Sequence, residues 1–122
     1  MRCRDVDLWV RVMDVAPDGT ALNLMSPGLD VVRASYREPS RGRQLLQPDR
    51  AYLISLKNPI TGNLFKKDHR IRVQISGSFF PNFSRNPQSG ESERDSAAMK
   101  KSRITIYRDR DHPSRIILPV AN

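Results

Sequence analysis

Cysteine, tryptophan and histidine are scarce: 122 residues carry one, one and two of them. Cys3 alone cannot close an internal disulfide, and a CxxC metal or redox site is impossible. The histidines, His69 and His112, stand far apart with no cysteine or carboxylate cluster around them, which argues against zinc. No metal and no cofactor is expected. The chain also lacks an apolar run of membrane length and a secretory apolar core, so no membrane partner is expected and a soluble cytoplasmic chain is the default. The G-x-S-x-G nucleophile elbow is absent. Gly90-Glu91-Ser92-Glu93-Arg94 starts that pattern and fails it. His112 lies between Asp111 and Ser114, but triads are assembled across a fold rather than between sequence neighbours. No catalytic residue is assigned.

What is present is a globular composition on the polar side, with 38% apolar and 28% charged residues. The length suits one domain over 1–122, large enough to bury a core without a staple. The net charge of +8 raises the question of a polyanionic partner. The basic residues recur along the whole chain, however, and only Lys66-Lys67 and Lys100-Lys101 are basic neighbours of the same type. That spread reads as a solvated surface and argues against nucleic acid.

The apolar period is 2, not 3.6. Val6, Leu8, Val10 and Val12 alternate with Asp5, Asp7 and Arg11, as in a strand with one face in the core and one in water. Trp9 and Met13 interrupt the polar face, so something covers it in part. Pro17-Asp18-Gly19 supplies a turn, and residues 20–24 return as the second arm of a hairpin. After Ser26-Pro27-Gly28, the alternation of Val32, Ala34 and Tyr36 predicts another strand. Residues 38–49 are polar, with two prolines, and read as a surface loop. Tyr52, Ile54 and Leu56 predict a strand ended by Asn58-Pro59 and Gly62-Asn63. Residues 70–79 give the clearest strand of all. Ile71, Val73, Ile75, Gly77 and Phe79 point one way; Arg70, Arg72, Gln74, Ser76 and Ser78 point the other. Residues 81–101 form a long loop with room to move, and 102–107 and 115–120 close the chain as strands. Seven short strands and no amphipathic helix predict an all-β sandwich or barrel.

Two stretches carry more than alternation. One runs from Leu64-Phe65-Lys66-Lys67-Asp68-His69-Arg70-Ile71-Arg72-Val73 through Phe79-Phe80-Pro81-Asn82-Phe83-Ser84-Arg85-Asn86-Pro87 to Gly90. The other joins Thr105-Ile106-Tyr107, Asp109, His112-Pro113-Ser114-Arg115 and Leu118-Pro119-Val120. With Pro17-Asp18-Gly19, Leu22-Asn23-Leu24 and Arg33-Ala34-Ser35-Tyr36-Arg37 in the same order upstream, the chain resembles the carboxy-terminal domain of the X-prolyl dipeptidyl-peptidase and cocaine-esterase type of α/β-hydrolases. The resemblance implies a jelly-roll β-sandwich of the galactose-binding-like type. It also implies a non-catalytic role beside an α/β-hydrolase domain that cleaves esters or amides. Asp68 stands where that family tends to have Gly, and Ile104 where Asn is usual. In relatives further strands precede the one that opens this chain. A sandwich lacking its first strands is therefore expected, with an exposed edge that invites self-association as a symmetric dimer.

The candidate interface or pocket-wall residues are Trp9, Phe80, Phe83, Arg85, Asn86 and His112. Phe80 and Phe83 are expected to plug the loop into the sandwich, with Arg85 and Asn86 bonding backbone carbonyls. Trp9 is expected beneath a partner surface. The rival class is a stand-alone binding module, for carbohydrate stacked on Trp9 or for nucleic acid through the basic surface.

Overall fold

A computed structural model describes residues 3–25, 30–56, 61–95 and 97–120. The described residues hold four β-strands, two short 3-10 turns and no α-helix, an all-β fold as the period-2 pattern requires. Strand β1, Asp7–Val15, is the axis of one antiparallel sheet. Strand β4, Arg70–Ser76, takes one edge of β1 over Trp9–Val15. Strands β2, Ala21–Asn23, and β3, Asp30–Arg33, pair with separate parts of β1, Met13–Val15 and Asp7–Val10, so they share its opposite edge end to end.

The β1–β2 hairpin forms where turn chemistry puts it. Ala16 donates its N–H to the Thr20 carbonyl at 2.9 Å, Gly19 closes on Ala16, and the Asp18 carboxylate accepts the Thr20 N–H at 2.9 Å. Gly19 sits at φ 90°, where a side chain is disfavoured. A second turn, closed by the His69 N–H on the Lys66 carbonyl, delivers the chain into β4; in it Asp68 holds φ 66°. The Gly that the resemblance leads one to expect at this point suits the geometry, because the turn needs left-handed backbone.

Several expectations change, among them the strand expected over 70–79, which ends at Ser76. Strand β3 stops at Arg33, and Ala34–Tyr36 coils into a 3-10 turn instead of continuing the alternation. The cause is Asp5, whose carboxylate takes both the N–H and the hydroxyl of Ser35, at 2.9 and 2.8 Å. Residues 51–56, 102–107 and 115–120 form no ladder, so four strands replace the expected seven among the described residues. The turn at Ser26-Pro27-Gly28 and the break at Asn58-Pro59 lie outside the described residues.

Polarity across β1 also differs from a simple inside–outside split. Val12 is buried on one face while Asp7 and Trp9 are buried on the other, and Asp5 just upstream is 1% exposed. Cross-strand pairing aligns Val10, Val12 and Asp14 with Ile75, Val73 and Ile71, which defines an apolar face. The opposite face carries Trp9, Arg11, Met13 and Val15 beside Ser76, Gln74, Arg72 and Arg70.

Candidate interaction surface

The sheet organises three groups of side chains. The first is an acid-anchored network at the start of β1. The Asp7 carboxylate accepts Arg33 Nε at 2.7 Å and Nη2 at 2.9 Å, a two-point pair, and also Asn86 Nδ2 at 2.9 Å. Arg33 reaches on to Glu93 at 3.1 Å. Hydrogen bonding to Asp7, then to Glu93, pushes Arg33 further above its already high pKa against the opposing effect of burial. Glu93 is held below the usual carboxylate range by its own backbone amide first and by Arg33 second. Two carboxylates, one guanidinium and one amide thus pin residues 86–93 to β1. Asp5 adds a contact to Arg43 at 3.6 Å, and Arg43 Nη2 donates to the Gly90 carbonyl at 2.9 Å.

The long loop over 81–101 is therefore anchored in its middle. Asn86 and Ser89 are buried, and Pro87 is among the most buried side chains. Asn86 bonds a carboxylate and, through Oδ1, the Gln88 N–H at 2.8 Å, rather than the backbone carbonyls expected of it. Gln88 is further held by the Ser102 hydroxyl.

Aromatic rings on the Trp9 face make the second group. Trp9 is 7% exposed, and its ring lies 4.7 Å from Phe83 and 5.8 Å from Phe79. Its cover comes from the chain's own loop, where the sequence suggested a partner surface. Phe83 remains 51% exposed and Phe80 58%, so neither is a buried plug. Arg85 stacks over Phe80 with 4.1 Å to the ring centroid. A shallow cleft beside Trp9 is lined by Arg11, Gln74, Ser76, Ser78 and Phe79, with the Arg11 guanidinium 5.4 Å from the Phe79 ring.

Of the six sequence candidates, Trp9 and Phe83 meet directly, Phe80 and Arg85 pair beside them, and Asn86 lies in the acid network. His112 stands apart. It stacks on Tyr107 at 5.1 Å, its backbone N–H bonds Asp109 at 2.7 Å, and its side chain is half exposed. That backbone bond, first among several, keeps Asp109 below its usual range.

One pair has the form of half a catalytic relay: His69 Nδ1 lies 2.8 Å from Asp14 Oδ1. Asn63 also bonds Asp14 at 3.1 Å. Partial burial pushes the Asp14 carboxyl up, but the hydrogen bonds from His69 and Asn63 outweigh it and leave the pKa lowered. Among the described residues no hydroxyl or thiol bonds the other ring nitrogen of His69, so a nucleophile is not in place. Nor do the described residues bring together three potential metal-binding groups of the His, Cys, Asp or Glu types. The buried carboxylates are saturated by donors, which suits holding a loop rather than moving a proton.

The third group is apolar and open. Ile71, Val73 and Ile75 of β4 share a face and are 44%, 41% and 44% exposed, with Leu22 of β2 opposite Asp14 on that face. No sequence candidate lay on this row, although the alternation of residues 70–79 displays it. The alternation marks an apolar face without saying whether its own chain covers it.

Comparison with known proteins gives two findings. Residues 2–117 match the family model described as the X-Pro dipeptidyl-peptidase C-terminal non-catalytic domain. The chain is also 34% identical over 118 residues to a cocaine esterase of Rhodococcus sp. (strain MB1 Bresler), an alignment covering 95% of this chain and 20% of that protein. The chain thus corresponds to about a fifth of the length of this relative.

Proposed function

The chain belongs to the family of X-Pro dipeptidyl-peptidase C-terminal non-catalytic domains, and from that premise we propose that it is the accessory β-sandwich of a serine hydrolase. Hydrolysis of an ester or amide is carried out by an α/β-hydrolase domain outside this chain, and the sandwich packs against it. The observation that carries the reading is the open row Ile71, Val73 and Ile75. Three branched side chains on one sheet face, each more than two-fifths exposed, are an uncovered half of a sandwich layer. The opposite face is closed over Asp7 and Trp9 by Phe79, Phe83 and the loop at 86–93, and its open part carries Arg70, Arg72, Gln74 and Ser76, so it has less need of an apolar partner. A jelly-roll arrangement of the galactose-binding-like type fits this division into one finished and one unfinished layer. Self-association through an exposed strand edge belongs to the same reading, since the edge lies beside the unfinished layer. Cytoplasmic placement fits a chain whose one cysteine is not called on for a disulfide.

The test uses the cocaine esterase relative deprived of the segment this chain matches. Mixed with the chain, it should form a complex on size exclusion and recover thermal stability, while Ile71→Asp in the chain abolishes both. Absence of any complex overturns docking. Turnover of p-nitrophenyl acetate by the chain alone, above buffer, overturns the non-catalytic role.

A further inference from the structure

The sheet face turned away from Ile71, Val73 and Ile75 holds three arginines in a row. Arg11 of β1 lies opposite Gln74 of β4, Arg72 and Ser76 are its diagonal neighbours, and Arg70 is next along the strand. Among the described residues none of the three arginines meets a carboxylate. At the Arg11 end of this row lies the cleft lined by Trp9, Arg11, Gln74, Ser76, Ser78 and Phe79. Two aromatic rings and four polar side chains form its wall, with no acid among them.

The bonds already made leave this cleft rich in donors. The Arg11 guanidinium rests against the Phe79 ring, 5.4 Å from its centroid, which steadies it without using its N–H groups. The Gln74 amide makes no hydrogen bond among the described residues. Ser76 Oγ donates to the Ser78 carbonyl at 2.9 Å, while Ser78 Oγ accepts the Phe80 N–H at 3.3 Å, so the Ser78 hydroxyl still has its proton to give. A guanidinium fork, an amide and a hydroxyl together match an acceptor that carries negative charge. Arg70 and Arg72 add to the potential that draws such a ligand in. The other basic cleft lacks this property. Arg33, Arg43 and Arg94 line it together with Glu93, and Arg33 and Arg43 are already paired with Asp7 and Asp5.

We propose that the cleft beside Trp9 binds a small carboxylate with a flat apolar body, its charge on Arg11, Gln74 and Ser78 and its body against Phe79 and Trp9. The volume, about 130 Å³, sets the size of the ligand. An apolar cavity of roughly 150 Å³ holds one benzene, so the cleft admits a single ring and not a polymer. A neutral sugar is a poor match, because Trp9 is 7% exposed and offers no open face for a pyranose to stack on. The site goes beyond the accessory role proposed above. It lies on the face away from the Ile71, Val73 and Ile75 row and needs no hydrolase domain to complete it.

The experiment is an NMR titration of the isotope-labelled whole chain with phenylacetate at low chloride, following the Trp9 indole N–H and the Gln74 side-chain amide. Saturating shifts of both are expected, with a dissociation constant in the millimolar range for a ligand of this size in an open cleft. Phenylacetamide has the same shape without the charge and should bind roughly tenfold or more weakly. Arg11→Gln should weaken phenylacetate by about the same factor and leave phenylacetamide within about twofold, a pattern that loss of folding does not give. Ser78→Ala keeps the guanidinium and should weaken phenylacetate about threefold. Shifts that never saturate, or that spread away from the cleft, mean adventitious binding only and overturn the proposal. So do equal affinities for acid and amide, indifference to Arg11→Gln, or galactose moving these signals where phenylacetate does not. None of these outcomes touches docking on the hydrolase domain, which the complex with the truncated esterase and Ile71→Asp tests separately.

Discussion

Left-handed backbone is cheap for glycine and costs other residues of order 1 kcal/mol, aspartate and asparagine being the more tolerant. Asp68 occupies it at φ 66° in the turn before β4. Asp68→Gly relieves that strain while raising the entropy of the unfolded chain, so the net gain is a fraction of the strain, about 0.5 kcal/mol. A rise in urea midpoint at unchanged slope is the expected reading; Asp68→Ala should lower it. Phe83 makes a different argument. Its ring lies 4.7 Å from Trp9 yet is half exposed, so Phe83→Ala forfeits part of a buried ring rather than all of one. The expected loss is about 1–2 kcal/mol, below the ~3–5 typical of a fully buried phenylalanine. Trp9 is the only tryptophan, so its emission reports the event without ambiguity and should shift to the red as water reaches the indole.

At the scale of elements, β1 is fixed by partners that lie far away in sequence. The Asp7 pair with Arg33 spans 26 positions and its bond to Asn86 spans 79. Asp7→Ala leaves Arg33 and Asn86 without their acceptor. With the Arg33 side chain 29% exposed and Glu93 still in reach, the cost should be about 1–3 kcal/mol, below that of breaking a fully buried pair. Limited trypsin digestion should then cut at Arg94 faster than global unfolding allows, because residues 86–93 lose their anchor to β1. These separations explain what the sequence could not disclose. Alternation located β1, the hairpin and β4, since each depends on neighbours two apart and on Pro17-Asp18-Gly19. It misjudged the face of Asp5 and Asp7, because a carboxylate is read as solvated until its distant donors are known. The tripeptide Ala34–Tyr36 left the strand for the same reason, with Asp5 capturing Ser35 from 30 positions away. Asp14 adds a pH signature. Its native pKa is lowered, so its contribution to stability is complete above the ordinary aspartate range and is lost as pH falls below it toward the native value. Acid unfolding below about pH 4 should be blunted in Asp14→Asn relative to the parent, once each is normalised to its stability at neutral pH.

Taken whole, the molecule carries +8, and its sheet divides that charge unevenly. Arg11, Arg70 and Arg72 share the Trp9 face, and among the described residues none of the three has a carboxylate partner, whereas Arg33 is held between Asp7 and Glu93. Two kinds of charge therefore respond differently to salt. Raising ionic strength from 0.01 to 0.1 M shortens the screening length from about 30 Å to about 10 Å. Long-range repulsion among the excess cations is relieved over that interval, and it opposes the compact state. The Asp7–Arg33 pair is less affected, because Asp7 is buried and the two groups touch. The melting temperature of the isolated chain should accordingly rise with sodium chloride over this range rather than fall. Any self-association makes the melting temperature depend on protein concentration as well, so repeating the salt series at two concentrations separates it from repulsion within one chain. The part common to both series belongs to self-repulsion within one chain, and Arg72→Gln should shrink it. If salt instead lowers the melting temperature at both concentrations, attractive pairs outweigh the excess cations, and the acid network at the start of β1 governs the electrostatics of the fold.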